Sequence, residues 1–235
     1  MSNSIVSREE WTVARKALLA KEKAFTRERE ELAAERRKLP RVKIDKLYAF
    51  EDAKGKHSLR DLFDGKRQLI VYHFMLEPGW REGCPGCSYV SDHFDGAMPH
   101  LAQRDTAFVA VSGAPLAAIE AFKKRMGWKF RWLSSFGSDF NYDFRASFRL
   151  EDIGNKAVSV NFAGPPKDEE PIPGLSTFIL EDGLVLHAYS TFKRGVDQLM
   201  NTYNLLDLTP LGRHEEGLSY PTAWVKHHDK YANAK

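Results

Sequence analysis

The stretch Leu69-Ile-Val-Tyr-His-Phe-Met75, a loop, Gly83-Cys-Pro-Gly-Cys-Ser88 and a helix-patterned run to Leu101 together decide how the chain reads. The first segment is short, apolar and bounded by polar turns, as a fully buried parallel strand is. Pro85 can take the first helical position, where its missing N–H costs nothing. Cys84 then sits at the helix cap, facing unpaired backbone N–H groups and the positive end of the helix dipole. Both features favour thiolate over thiol. Cysteines at helix starts and in Cys-x-x-Cys pairs have pKa values of about 3.5–7.5, against about 8.5 for a free cysteine. Cys87 lies one turn further on, close enough to attack a mixed disulfide formed at Cys84. Strand, cysteine pair and helix in succession predict a redox-active dithiol.

Composition bounds the rest. With 43% hydrophobic and 12% aromatic residues, the 235-residue chain can bury a core. Its 35 basic and 32 acidic side chains leave a net charge of +3, so nothing calls for nucleic acid or a membrane surface as partner. No basic segment followed by an apolar one opens the sequence. The apolar runs fall far short of the roughly 20 residues that cross a bilayer. The expectation is a soluble, cytoplasmic protein. In a reducing compartment a close cysteine pair is more often catalytic or metal-binding than a structural crosslink. A structural zinc site needs a second pair at close spacing, and His93 and His100 stand seven apart, so no metal is assigned. No Gly-x-Gly-x-x-Gly fingerprint follows a strand, so no cofactor is assigned either.

In chain order, Ser7-Arg-Glu-Glu10 has the capping-box pattern, and no Gly or Pro interrupts the sequence until Pro40. Trp11, Leu18, Phe25, Leu32 and Leu39 recur every seven residues, but charged and small residues occupy the alternate heptad positions. This predicts a long, highly charged helix laying a narrow stripe on its own domain or on a second copy of the chain. Thr106 to Ser112 reads as a second buried strand, Pro115 to Met126 as a helix stopped by Gly127, and Phe130 to Leu133 as a third strand. Such alternation implies right-handed crossovers and a parallel sheet covered on both faces. Asp182-Gly183 between strand-like runs marks a hairpin, and Val196 to Leu206 a helix. Phe136, Phe140, Phe144 and Phe148 suit a helical spacing, yet Phe140, Tyr142 and Phe144 also alternate, so residues 134–174 are not assigned. The expected organisation is an N-terminal helical extension (1–40), a domain over 41–208 and a tail over 209–235.

This order of elements is that of the thioredoxin-like fold, an α/β architecture with a central mixed sheet. Closer likeness lies in Val6-Ser-Arg-Glu-Glu-Trp11, Gly83-Cys-Pro-Gly-Cys87, Asp92-His-Phe-Asp-Gly96, Arg125-Met-Gly-Trp128 and Gly137-Ser-Asp-Phe-Asn-Tyr-Asp-Phe144. These resemble a bacterial family catalogued as domain of unknown function 899, over about residues 5 to 215. The resemblance implies a thioredoxin-like core and a dithiol–disulfide oxidoreductase role. Where thioredoxins have a proline facing the disulfide, this chain has Ser176 before Thr177, with Pro173 three residues earlier. The buried acid of thioredoxins maps near His73.

The expected catalytic set is therefore Cys84 as nucleophile, Cys87 as resolving thiol and His73 as general base. Trp80, Pro85, Ser176 and Thr177 are the expected substrate-contacting residues. The expected reaction is thiol–disulfide exchange with a disulfide-containing protein or a small thiol compound, supported by a separate reductant. Two alternatives stay open. One is a peroxiredoxin-like peroxidase, in which Cys84 becomes a sulfenic acid. The other is a non-catalytic binding or assembly protein that works through its N-terminal stripe.

Overall fold

The middle strands of the central sheet send alternate side chains into two different cores, and this alternation sets the architecture. The structure, a computed structural model, describes residues 4–232. It divides into two units, residues 1–40 and 41–235. The first is the helix α1 (Arg8–Lys38). Ser7 Oγ accepts the Glu10 amide hydrogen bond and the Glu10 carboxylate accepts that of Ser7, closing the capping box. Glu9 and Glu10 at its start and Arg36, Arg37 and Lys38 at its end complement the helix dipole. Trp11, Leu18, Phe25 and Leu32 are exposed, and no residue of the helix is buried.

The second unit contains β1 (Val42–Lys43), β2 (Ala49–Asp52), β3 (Gly55–Ser58) and β4 (Gln68–His73), then α2 (Pro85–Ser91) and α3 (Met98–Gln103). After these come β5 (Thr106–Ser112), α4 (Leu116–Met126), β6 (Arg131–Ser134), the single turn α5 (Phe140–Asp143), β7 (Gly174–Glu181), β8 (Leu184–Phe192) and α6 (Asn201–Leu206). One eight-stranded sheet runs in the order β1-β8-β7-β4-β5-β6-β2-β3. β4, β5 and β6 are parallel, whereas β7 is antiparallel to β4 and β8 to β7. The path β4, helix, β5, helix, then the β7–β8 hairpin and α6 is that of a thioredoxin-like fold.

On one face, Tyr72, Phe74, Ala110 and Trp132 pack with Cys87 and Val90 of α2, Ile119 and Phe122 of α4, and Tyr203 of α6. On the other, Leu69, Val71, Val109, Val111 and Leu133 pack with Leu62, Phe63, Phe140 and Phe144. The β7–β8 turn uses Asp182 and Gly183, both at positive φ, as a two-residue hairpin requires. A bulge in the β7–β8 pairing sets Thr177 against Tyr189 but Phe178 against His187, so Ala188 is an extra residue. It shifts the alternation of β8 by one, and His187 and Ser190, three apart, come to face each other.

Residues 209–232 belong to this same unit. Glu215 holds the segment to α6, its Oε1 accepting from the Tyr203 hydroxyl (2.5 Å), the Thr222 amide (2.8 Å) and the Trp224 indole (2.7 Å). Val225 is buried in the core around α2 and α4. Among the described residues no helix is long and apolar enough to cross a membrane.

Candidate functional site

Cys84 stands at the N-cap of α2 in an extended backbone conformation, with Pro85 at the first helical position. Its amide donates to the Met75 carbonyl at 3.0 Å, and its carbonyl accepts from both the Ser88 amide and hydroxyl at 2.9 Å. The backbone of the cysteine is thus fixed on both sides, while its thiol remains partly exposed. Cys87 is buried, and its sulfur accepts the Met75 amide at 3.5 Å. Both cysteines are free thiols, 4.0 Å apart.

Their environments separate the two thiols. The Cys87 thiol donating to Cys84 sulfur holds the Cys84 pKa down at about 7, against the opposing effect of burial. The backbone N–H groups of Cys87 and Gly86 act in the same direction. Burial pushes Cys87 far up, and its donation to Cys84 pushes it further. Of the two sulfurs, Cys84 is the one that ionises first, and Cys87 is the one held as a thiol.

The strand before the motif delivers Tyr72, not His73, to this pair. Successive residues of a strand point to opposite faces. Tyr72 is wholly buried beside Cys87, and its hydroxyl makes no complete hydrogen bond. Burial holds that phenol well above its ordinary pKa, so it remains a donor, and its presence favours the ionised form of Cys87.

His73 lies in the opposite core, stacked on Phe140 at 5.6 Å between ring centroids. There it heads a buried polar chain. His73 Nε2 meets Ser176 Oγ at 2.8 Å, Ser176 Oγ meets Ser190 Oγ at 2.7 Å, and Ser190 Oγ meets His187 Nε2 at 2.8 Å. Burial drives the His73 pKa down to about 4, despite the neighbouring Asn141 amide. A base role toward Cys87 is therefore closed to His73 by position. Ser176 shares that far face and is wholly buried, so it meets no substrate at the dithiol. Thr177 is half-buried in β7, opposite Ile70 and Tyr189. Trp80 is exposed in the loop, and Pro85 is exposed at the helix start. None of Trp80, Pro85, Ser176 or Thr177 lines the cavity beside the cysteines.

That cavity, about 360 Å³, has Tyr72, Cys84 and Cys87 at its base, with Val90, Val196 and Met200 among its walls. Pro173 and Lys193 border it and also border a second cavity of about 430 Å³ under the loop over 165–173. The Lys193 amide donates to the Pro173 carbonyl at 2.9 Å.

The loop leading into Cys84 is held from a distance. A Cβ at Gly83 would come within 2.5 Å of the Phe74 ring and 2.7 Å of Phe122, so only glycine fits. The Gly83 carbonyl accepts from His227 Nε2 at 2.8 Å. Glu82 pairs with Arg125 (2.7 Å) and Lys230 (2.6 Å), and Arg125 also grips Asp229. Among the described residues no group of three or more His, Cys, Asp or Glu is arranged to hold a metal ion.

A family model described as bacterial protein of unknown function (DUF899) matches residues 1–231. The chain belongs to that family. No curated protein matches the sequence significantly. Solved structures similar to this DUF899 member include a cysteine-to-serine mutant of Xylella fastidiosa PrxQ, at 10% identity and TM-score 0.46, covering 71% of this chain and 94% of that one. Peroxidoxin BcpB from Mycobacterium tuberculosis is similar at 12% identity and TM-score 0.46, over 72% and 97% of the two chains. A Xanthomonas campestris peroxiredoxin Q mutant shows 16% identity and TM-score 0.43, over 71% and 95%. Likenesses of this size bear on neither the activity nor the site residues of the DUF899 chain.

Sequence reasoning missed Tyr72, Met75, Lys193 and His227. Tyr72 belongs to a strand buried on both faces, whose apolar run does not tell one face from the other. Lys193 and His227 approach from 109 and 143 residues beyond Cys84 (193 − 84 and 227 − 84), and no local pattern marks them.

Proposed function

We propose that this protein is a thiol–disulfide oxidoreductase in which Cys84 is the nucleophile and Cys87 the resolving thiol. The observation that supports it is the inequality of the two sulfurs: one partly exposed with its pKa at about 7, the other buried and kept protonated. A thiol with a pKa near ambient pH is the best attacker, because lower values cost nucleophilicity.

Cys84 thiolate attacks one sulfur of a substrate disulfide, forming a mixed disulfide and expelling the first substrate thiolate. Cys87 then attacks the Cys84 sulfur. A Cys84–Cys87 disulfide forms, the second substrate sulfur departs, and the Cys87 proton goes to it. The substrate gains two electrons and the dithiol loses two, which a separate dithiol reductant must restore. The Met75 amide and the Tyr72 hydroxyl are the donors available to Cys87 as its sulfur takes up negative charge. The likeness of the N-terminal stripe to half a coiled-coil seam supports self-association through Trp11, Leu18, Phe25 and Leu32 as an accompanying proposal.

The test is trapping. Reduced Cys87→Ser protein, mixed with a small aromatic disulfide such as dithiodipyridine, accumulates a mixed disulfide at Cys84, identified by peptide mass. Cys84→Ser protein forms none. An adduct at Cys87 in the Cys84→Ser variant, formed as fast as the first, overturns the assignment.

A further inference from the structure

We infer that the cavity beside the dithiol is a substrate site for small organic disulfides bearing a carboxylate on an apolar body, and that these, rather than protein disulfides, are what Cys84 attacks. This inference rests on the oxidoreductase reading above.

Size and lining come first. At about 360 Å³ the cavity is at the small end of the roughly 300–1,000 Å³ range of small-molecule sites. Val90, Val196, Met200 and the Tyr203 ring give it apolar walls, and both cysteines lie at its base. An aromatic or branched aliphatic half-disulfide suits such walls. A loop of polypeptide brings amide groups that they cannot satisfy.

The second observation is the Tyr72 phenol. The Tyr72 hydroxyl is fully buried and lines the cavity without a complete hydrogen bond. Buried polar groups in folded proteins nearly always have a partner. The neighbour of this hydroxyl is the Cys87 sulfur, without full hydrogen-bond geometry, and a sulfur or carboxylate entering the cavity would complete the bond.

The third is Lys193 at the rim. It is a non-glycine residue at φ 51°, in the sparsely populated left-handed region. Its amide is tied to the Pro173 carbonyl, so the unusual conformation is fixed rather than incidental. Arg194 beside it is already paired with Asp197 at 2.8 Å. Lys193 has no ion-pair partner among the described residues, so its positive charge is available to an anionic ligand. The same Lys193–Pro173 hydrogen bond occupies main-chain groups that a peptide would need in order to dock by strand addition.

In the reaction, Cys84 attacks the substrate sulfur nearer to it and forms Cys84–S–S–R, with the apolar R group in the cavity and its carboxylate toward Lys193. The other half leaves as a thiolate. Cys87 then forms the internal disulfide and releases R–SH, completing a two-electron reduction.

The experiment follows stopped-flow oxidation of the reduced full-length protein by three disulfides. Dithiobis(nitrobenzoate) is aromatic and anionic, dithiodipyridine is aromatic and neutral, and insulin is a protein. The expected result is a rate that saturates with dithiobis(nitrobenzoate), half-saturates at higher concentration with dithiodipyridine, and is slowest with insulin. Lys193→Gln should raise the dithiobis(nitrobenzoate) half-saturation about three- to fivefold, as befits one partly exposed ion pair, and Lys193→Arg should restore it. Rates linear in both aromatic probes, or insulin oxidising the dithiol at least as fast, overturn the small-disulfide assignment while leaving the oxidoreductase reading intact. Failure of all three disulfides to oxidise Cys84 overturns both.

Discussion

His227 Nε2 lies 2.8 Å from the carbonyl oxygen of Gly83, the residue immediately before the nucleophilic cysteine candidate. His227 is buried, with its ring edge-on to Phe122 at 5.4 Å, so the donor is held by packing as well as by the hydrogen bond itself. Replacing it with phenylalanine keeps the aromatic contact and deletes the donor. His227→Phe should lose about 1–2 kcal/mol in urea unfolding, the penalty for one lost buried hydrogen bond. Amide hydrogen exchange should quicken at Gly83 and Cys84 and stay unchanged in β5.

The thiol contrast gives a second expectation. Thiolate absorbance in the ultraviolet, followed against pH, should rise with a midpoint near 7 for Cys84, where its pKa is about 7. Cys87→Ala removes the thiol that donates to it. The midpoint should then climb toward the ordinary value of about 8.5. An unmoved midpoint would assign the depression to the backbone N–H groups alone.

Acid should weaken the fold through His73. Its pKa is lowered by burial from 6.5 to about 4, so between those values the unfolded chain binds the proton and the folded one does not. Stability is whole above pH 6.5 and drains away as pH falls to about 4. The full loss from this group is about 3 kcal/mol. His73→Gln keeps a hydrogen-bonding group near Ser176 but cannot titrate. Urea unfolding of that variant at several pH values should show the slope between pH 6.5 and 4 flattened by about that amount.

Peroxide separates the oxidoreductase from the peroxidase alternative. Rapid reaction with an O–O bond needs donors placed to stabilise the departing oxygen. The loop ahead of Cys84, Leu76 to Gly83, contains no threonine or serine that could offer a hydroxyl donor there. Reduced protein should lose its thiols slowly with hydrogen peroxide, by stopped-flow tryptophan fluorescence with Trp80 as the exposed reporter. A fast reaction that survives Cys87→Ser but not Cys84→Ser would reverse the ranking.

What could be read in advance had local causes. The capping box at Ser7 and Glu10, the Pro85 helix start, the Gly127 stop and the Asp182-Gly183 turn are each dictated within a few residues, and each is where the structure has it. From those signals the thioredoxin-like order of strands follows. The stretch over 134–174 was closed to such reading because its phenylalanines divide their duties. Phe140 and Phe144 enter the core beneath β4, Phe148 joins a separate cluster with Val158, Ile172 and Phe192, and Phe136 is exposed. No single period describes residues that serve three environments. The face of β4 was equally hidden, and with it the exchange of His73 for Tyr72 beside the dithiol.

The bulge at Ala188 has a consequence for how the chain can change over time. Because Ala188 is the extra residue of the pairing, deleting it would leave a regular ladder with Tyr189 still against Thr177 and His187 against Phe178. Inserting a residue between Tyr189 and Ser190 would instead turn the strand over from that point. Ser190 would leave the chain of hydroxyls between the two histidines, stranding His73 and Ser176 without onward partners in a core that excludes water. An insertion after Tyr189 should therefore lower the urea midpoint sharply or prevent folding, whereas deletion of Ala188 and substitutions at that half-exposed position should cost little by the same measurement.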